Sequence, residues 1–147
     1  MATTVGSEGD IKTLITNFVY LERDAIAAYD ATIERLENPE LKRQIEEFRS
    51  DHHRHLSELR DLAAQHGAEV PAEGDMKEML TTGKVKMAAI AGDSTILKAM
   101  SSNESDTIAA YSSGAGNSAV PPEARPIFER GLEDERRHKA WMDSASS

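Results

Sequence analysis

The chain of 147 residues contains no cysteine. That excludes disulfides, thiolate metal sites and a cysteine-ligated iron domain. Proline is scarce, with five residues in the whole chain, which fits one domain built around a single core. No segment approaches the ~20 apolar residues needed to cross a bilayer. The opening MATTVGSEGD has neither the basic region nor the apolar run of a signal peptide. A cytoplasmic protein is therefore expected. No cluster of Lys and Arg offsets the formal net charge of -9. Nucleic acid and anionic membrane are accordingly not expected as partners, because both require a basic face.

Helical periodicity dominates what is present. Apolar residues recur at steps of three and four through Leu14, Phe18, Ala25, Tyr29, Ile33 and Leu36, which predicts a first helix over about 10–36. ENPE is a short turn whose proline is placed to open a second helix over about 39–65. Gly67 ends that helix. The pattern then weakens over about 67–92, where MKEMLTTGKVKMAAIAG has room for one or two short helices broken near Gly83. A third helix is predicted over about 93–114 with Asp93 as its N-cap, and a fourth over about 122–143. Two short turns and one long crossover give an all-α four-helix bundle of two hairpins.

The hairpins repeat each other. ERDAIAAY (Glu22 to Tyr29) returns as ESDTIAAY (Glu104 to Tyr111), with six of eight letters shared. DHHRH (Asp51 to His55) returns as DERRH (Asp134 to His138) at nearly the same offset. Each motif lies roughly 23 Å from the turn of its hairpin at ~1.5 Å rise per residue, so four helices offer polar groups at one level.

These groups fall on the apolar faces. Glu22, His52, His55, Glu104, Glu135 and His138 all point where the core belongs. Taken singly, each has a plainer explanation, such as a stripe glutamate reaching water. Taken together they share one chemistry. Buried carboxylates cost several kcal/mol each without a partner, on the order of a lost ion pair. A divalent ion partners all of them at once. Residues at i and i+3 share a helix face, so His52/His55 and Glu135/His138 each present two ligand atoms to one centre.

Around them stand residues with two readings. Tyr29 and Tyr111 either pack or donate hydrogen bonds to the carboxylates. Asp51 and Asp134 are either solvated acids or acceptors for the free N–H of a ligand histidine. Arg54 and Arg137 are surface charges or partners of those aspartates. Asp24 and Asp106 carry the same ambiguity, whereas His53 and His66 read as surface positions.

At these residues the sequence resembles the ferritin-like superfamily of carboxylate-bridged di-metal proteins, in particular small bacterial rubrerythrin-like proteins. The family pattern is Glu, Glu-x-x-His, Glu, Glu-x-x-His on successive helices. Glu22, Glu104 and the Glu135/His138 pair match it, and the stretch from Glu22 through Ala25 to Tyr29 looks like a rubrerythrin helix. The resemblance implies iron, with two ions or one, and iron oxidation or reaction with O2 or H2O2. The donor set also suits manganese or zinc. A metal that only fastens the helices, and a metal-free network of buried Glu and His, remain as alternatives. A homodimer is compatible with the chain, although no exposed stripe decides it. The departure is His52, where the pattern has its second bridging carboxylate. Three carboxylates leave two divalent ions with a formal +1, and one bridge is lost.

Overall fold

A computed structural model describes residues 3–70 and 91–147. The helices expected within residues 71–90 lie outside that description. Helix α1 (Ile11–Arg35) starts where the Asp10 carboxylate accepts a hydrogen bond from the Thr13 amide at 3.1 Å. It stops at Leu36, whose extended backbone turns the chain toward Pro39. Helix α2 (Pro39–His66) is capped by Asn38, which accepts from the Glu40 amide at 2.9 Å. Proline at its first position loses no hydrogen bond, because that N–H has no helical partner. Gly67 closes it in the left-handed conformation at φ 66°.

Helix α3 (Asp93–Gly116) departs from expectation at its start. Asp93 is the first residue inside the helix, and Gly92 occupies the cap position without a side-chain bond. The Asp93 carboxylate instead accepts from the amides of Glu37 at 2.9 Å and Asn38 at 3.0 Å. It ties the α1–α2 turn to the beginning of α3. Helix α4 (Arg125–Ala145) follows a turn at Pro121–Ala124.

Helix α1 packs along α2, and α3 along α4; the hairpins meet through α1 with α3 and α2 with α4. Asp93 and a Ser94 Oγ bond to the Ser146 carbonyl (2.8 Å) place the start of α3 beside the α1–α2 turn and the end of α4. At the other end, Thr16 donates to the Glu69 carbonyl at 2.9 Å, and Asn117 Nδ2 to the Gly6 carbonyl at 2.8 Å. Helices α2 and α3 therefore run the same way. The connection from Gly67 must return the length of a 28-residue helix, ~42 Å at ~1.5 Å per residue. This is an all-α four-helix bundle with a long crossover. Among the described residues no helix is long and apolar enough to cross a membrane.

The core comes in two apolar layers. One gathers Leu14, Phe18, Leu56, Leu59, Tyr111 and Phe128. The other gathers Leu36, Ile45, Phe48, Leu97, Met100 and Met142 near the α1–α2 turn. Each fully buried Leu or Phe contributes roughly 1.5–3 kcal/mol. Between the layers lies a polar slab, and the apolar layers seal it from water at both ends.

Candidate metal centre

The slab contains Glu22 from α1, His52 and His55 from α2, Glu104 from α3, and Glu135 and His138 from α4. None is more than 3% exposed. Their ligand atoms form two overlapping groups, each with all atoms within 4.8 Å of one another. One is Glu22, His52, His55 and Glu135; the other is His52, Glu104, Glu135 and His138. Helical spacing produces this: i,i+3 pairs on α2 and α4 face inward, and the single glutamates of α1 and α3 meet them.

Hydrogen bonding follows the pseudo-two-fold symmetry of the repeat. Tyr29 on α1 donates to Glu104 on α3 at 2.5 Å, and Tyr111 on α3 donates to Glu22 on α1 at 2.5 Å. His55 Nε2 meets Asp134 at 2.8 Å, and His138 Nε2 meets Asp51 at 2.8 Å. The arginines complete the crossing: Arg54 donates to Asp134 at 2.6 Å and Arg137 to Asp51 at 2.8 Å. Each aspartate thus fixes one imidazole from the opposite hairpin, leaving its Nδ1 toward the centre. This is how a carboxylate orients a ligand histidine.

The symmetry breaks at His52. Its Nδ1 lies 2.7 Å from Glu22 Oε2. Its Nε2 points between Glu104 Oε1 and Glu135 Oε1, 3.6 Å from each, without a hydrogen bond. Glu135 Oε1 is likewise buried and unbonded. Two bare polar atoms face each other, fully buried, where each costs about 1–3 kcal/mol. An ion between them removes that cost. The donor set fits a divalent metal on this observation.

Protons balance the metal-free slab. Burial opposes a charged His52, but Glu135 and Glu22 outweigh it and raise its pKa well above 6.5. Burial likewise opposes charge on His55, yet Glu22 and Asp134 bring it up to about 9. Burial drives His138 down to about 4. Burial, then the neighbouring Glu104, lifts Glu135 well above the usual carboxylate range. Burial also favours protonation of Glu22 and Glu104; for Glu22 the adjacent His52 and His55 prevail, and for Glu104 its contacts with Glu135 and His52 do, and both end below 4.5. Two imidazolium groups and two carboxylates then cancel, with Glu135 and His138 neutral.

Residues 10–114 match a family model described as a domain of unknown function, DUF2383. The chain belongs to that family. No curated protein and no solved structure matches it. The DUF2383 match spans α1, α2 and most of α3, so Asp134, Glu135, Arg137 and His138 lie beyond it.

All six residues singled out in the sequence of this DUF2383 chain come together. Tyr29, Tyr111, Asp51 and Asp134 surround them as hydrogen-bond partners, and Arg54 and Arg137 bond the two aspartates in turn. His53 is exposed and His66 half-buried at the end of α2. Asp24 and Asp106 instead line a cavity of about 150 Å³ between α1 and α3, which reaches Tyr29, Glu104 and Thr107.

Two contributors were not singled out. Thr107 Oγ1 lies between the two carboxyl groups, 3.0 Å from Glu104 Oε2 and Glu135 Oε2 and 2.9 Å from the Glu104 carbonyl, with one proton to donate among them. Its signal was a mismatch in the repeat, since Ala25 stands at the corresponding place in α1. Gly131 is the other. A Cβ there would stand 2.5 Å from Tyr111 Cε1, so only glycine lets Tyr111 lie against α4 and reach Glu22.

Proposed function

We propose that this protein is a ferritin-like metal protein whose buried Glu/His centre serves iron oxidation or reaction with O2 or H2O2. The observation that carries the reading is the pair of unbonded, fully buried atoms, His52 Nε2 and Glu135 Oε1, inside a ring of four further donors. Glu22, Glu104, Glu135, His52, His55 and His138 are the donors from which the metal's ligands are drawn. Bound iron would supply a redox-active Lewis acid able to exchange electrons with oxygen or peroxide. The chain's own residues do the rest. The apolar layers exclude bulk water. Asp51 fixes the tautomer of His138, and Asp134 orients His55. Tyr29 holds its hydroxyl 2.5 Å from Glu104 and 3.4 Å from His138 Nδ1, beside the cavity, where a proton can pass to a small molecule.

The test is anaerobic loading with Fe(II), then mixing with O2 or H2O2 under stopped-flow absorbance. A redox centre oxidises Fe(II) many times faster than buffer does, and the Glu135→Ala variant does not. Oxidation no faster than in buffer overturns the reading. A second reading keeps the metal and drops the chemistry: mixed oxygen and nitrogen donors also suit zinc as a structural ion. It is favoured by the complete burial of the donors, and shows as zinc-dependent thermal stability without turnover.

A further inference from the structure

The two ligand groups share His52 and Glu135; a carboxylate has two oxygens to divide between them, but one imidazole cannot serve both. A neutral imidazole has a single lone pair, on the nitrogen that carries no proton. His52 Nδ1 is 2.7 Å from Glu22 Oε2, at hydrogen-bond distance from a carboxylate that can only accept. Once an ion displaces the second proton of the His52 imidazolium, the remaining proton sits on Nδ1, and the lone pair sits on Nε2, on the side of Glu104 and Glu135.

The rest of the α1–α2 half is closed in the same way. Glu22 Oε1 accepts from Tyr111 at 2.5 Å and meets His55 Nδ1 at 3.2 Å. Both oxygens of Glu22 are engaged, as are those of Glu104, by Tyr29 at 2.5 Å and Thr107 at 3.0 Å, so the difference between the halves lies in His52 and Glu135. In the other half, Glu135 Oε1 and His52 Nε2 have no hydrogen bond. His138 Nδ1 stands 3.7 Å from Glu135 and 3.9 Å from Glu104, too far to be bonded to either, and has only the long contact of 3.4 Å with the Tyr29 hydroxyl. The α1–α3 cavity also opens on this half alone: it is lined by Glu104, Tyr29 and Thr107, and by neither Glu22 nor His55.

Resting on the metal-binding reading above, we propose that the centre is asymmetric and holds one divalent ion per chain. Its ligands are His52 Nε2, Glu104, Glu135 and His138 Nδ1. Glu22 is a positioning residue: its Oε2 accepts a hydrogen bond from the protonated Nδ1 of His52 and so turns Nε2 to the ion. Two carboxylates balance one divalent charge, which removes the uncompensated +1 that two ions and three carboxylates would carry. The exchangeable position faces Glu104, and the cavity of about 150 Å³ admits ligands the size of O2, H2O2 or a few waters, at ~30 Å³ per water. The replacement of Glu by His in the first pentad, and of Ala by Thr at position 107, belong together. One removes a carboxylate from the α1–α2 half, and the other places a hydroxyl donor between the two carboxylates of the opposite half.

The test is titration of chelator-treated protein with Zn(II) alone, by calorimetry and by ¹⁵N spectra of the histidine rings. One equivalent should saturate the wild type. It should shift His52 Nε2 and His138 Nδ1 and leave both nitrogens of His55 in place. Glu104→Gln should lose the site, whereas Glu22→Gln should still bind one ion, about 10- to 100-fold more weakly, as expected for a group that orients a ligand. His52→Glu should raise the stoichiometry to two. Two ions in the wild type, or perturbed His55 with unmoved His138, would overturn the asymmetric site and leave a metal centre standing. No uptake at all would overturn both. The ring spectra need no variant, so a poorly folding substitution does not blunt the test.

Discussion

One glycine and one tyrosine show how narrowly the slab is fitted. Tyr111 reaches Glu22 only because Gly131 offers no Cβ. Gly131→Ala should force Tyr111 aside and cost about 1–3 kcal/mol by overpacking, despite the better helix propensity of alanine. Urea unfolding of the metal-free variant checks this; stability equal to or above wild type would mean that Tyr111 moves freely. His55 makes a second prediction. Its pKa is raised from 6.5 to about 9. Its contribution to stability is therefore fully present below pH 6.5 and lost as pH rises through 9. His52 and Glu135, both also raised, act in the same direction. His138, lowered to about 4, acts oppositely: its contribution is present above pH 6.5 and fades as pH falls toward 4. The metal-free protein should be most stable near pH 6–7. It should lose on the order of 2 kcal/mol by pH 9, and His55→Gln should flatten that alkaline limb in urea titrations.

Among the helices, periodicity made the bundle legible, and the repeated pentads and octads made the slab legible. Glu22, Glu104 and the two i,i+3 pairs could be assigned to the core because carboxylates and imidazoles sat where Leu and Phe belonged. The crossing of partners could not be read. That Asp51 serves His138 and Asp134 serves His55 depends on how the hairpins face each other, which periodicity does not report. The role of Asp93 was missed for a related reason. An N-cap is a local pattern, whereas its actual bonds go to Glu37 and Asn38, more than fifty residues away. Asp93→Ala should therefore destabilise the meeting of the two hairpins by about 0.5–2 kcal/mol, on the scale of a lost charged acceptor with two amides. Exchange of the Glu37 and Asn38 amides should quicken in that variant; unchanged protection there would show the contact to be dispensable.

The molecule as a whole is a set of helices whose apolar layers tolerate a charged interior because the charges cancel. Protons do this in the metal-free state, and an ion does it better, since it also engages His52 Nε2 and Glu135 Oε1. Binding must then release protons from His52 and Glu135, so affinity for Zn(II) or Fe(II) should rise with pH across 6–8. Saturating metal should stabilise the fold by about 2.7 kcal/mol at a hundredfold excess over Kd. The long crossover and the net charge of -9 are compatible with this and do not demand it. The most direct measurement is elemental analysis of protein purified without added metal, repeated after Glu135→Ala. About one first-row divalent ion per chain, absent from the variant, is the predicted result. Metal-free protein that takes up neither added iron nor zinc, or a Glu135→Ala variant with unchanged metal content, would contradict it.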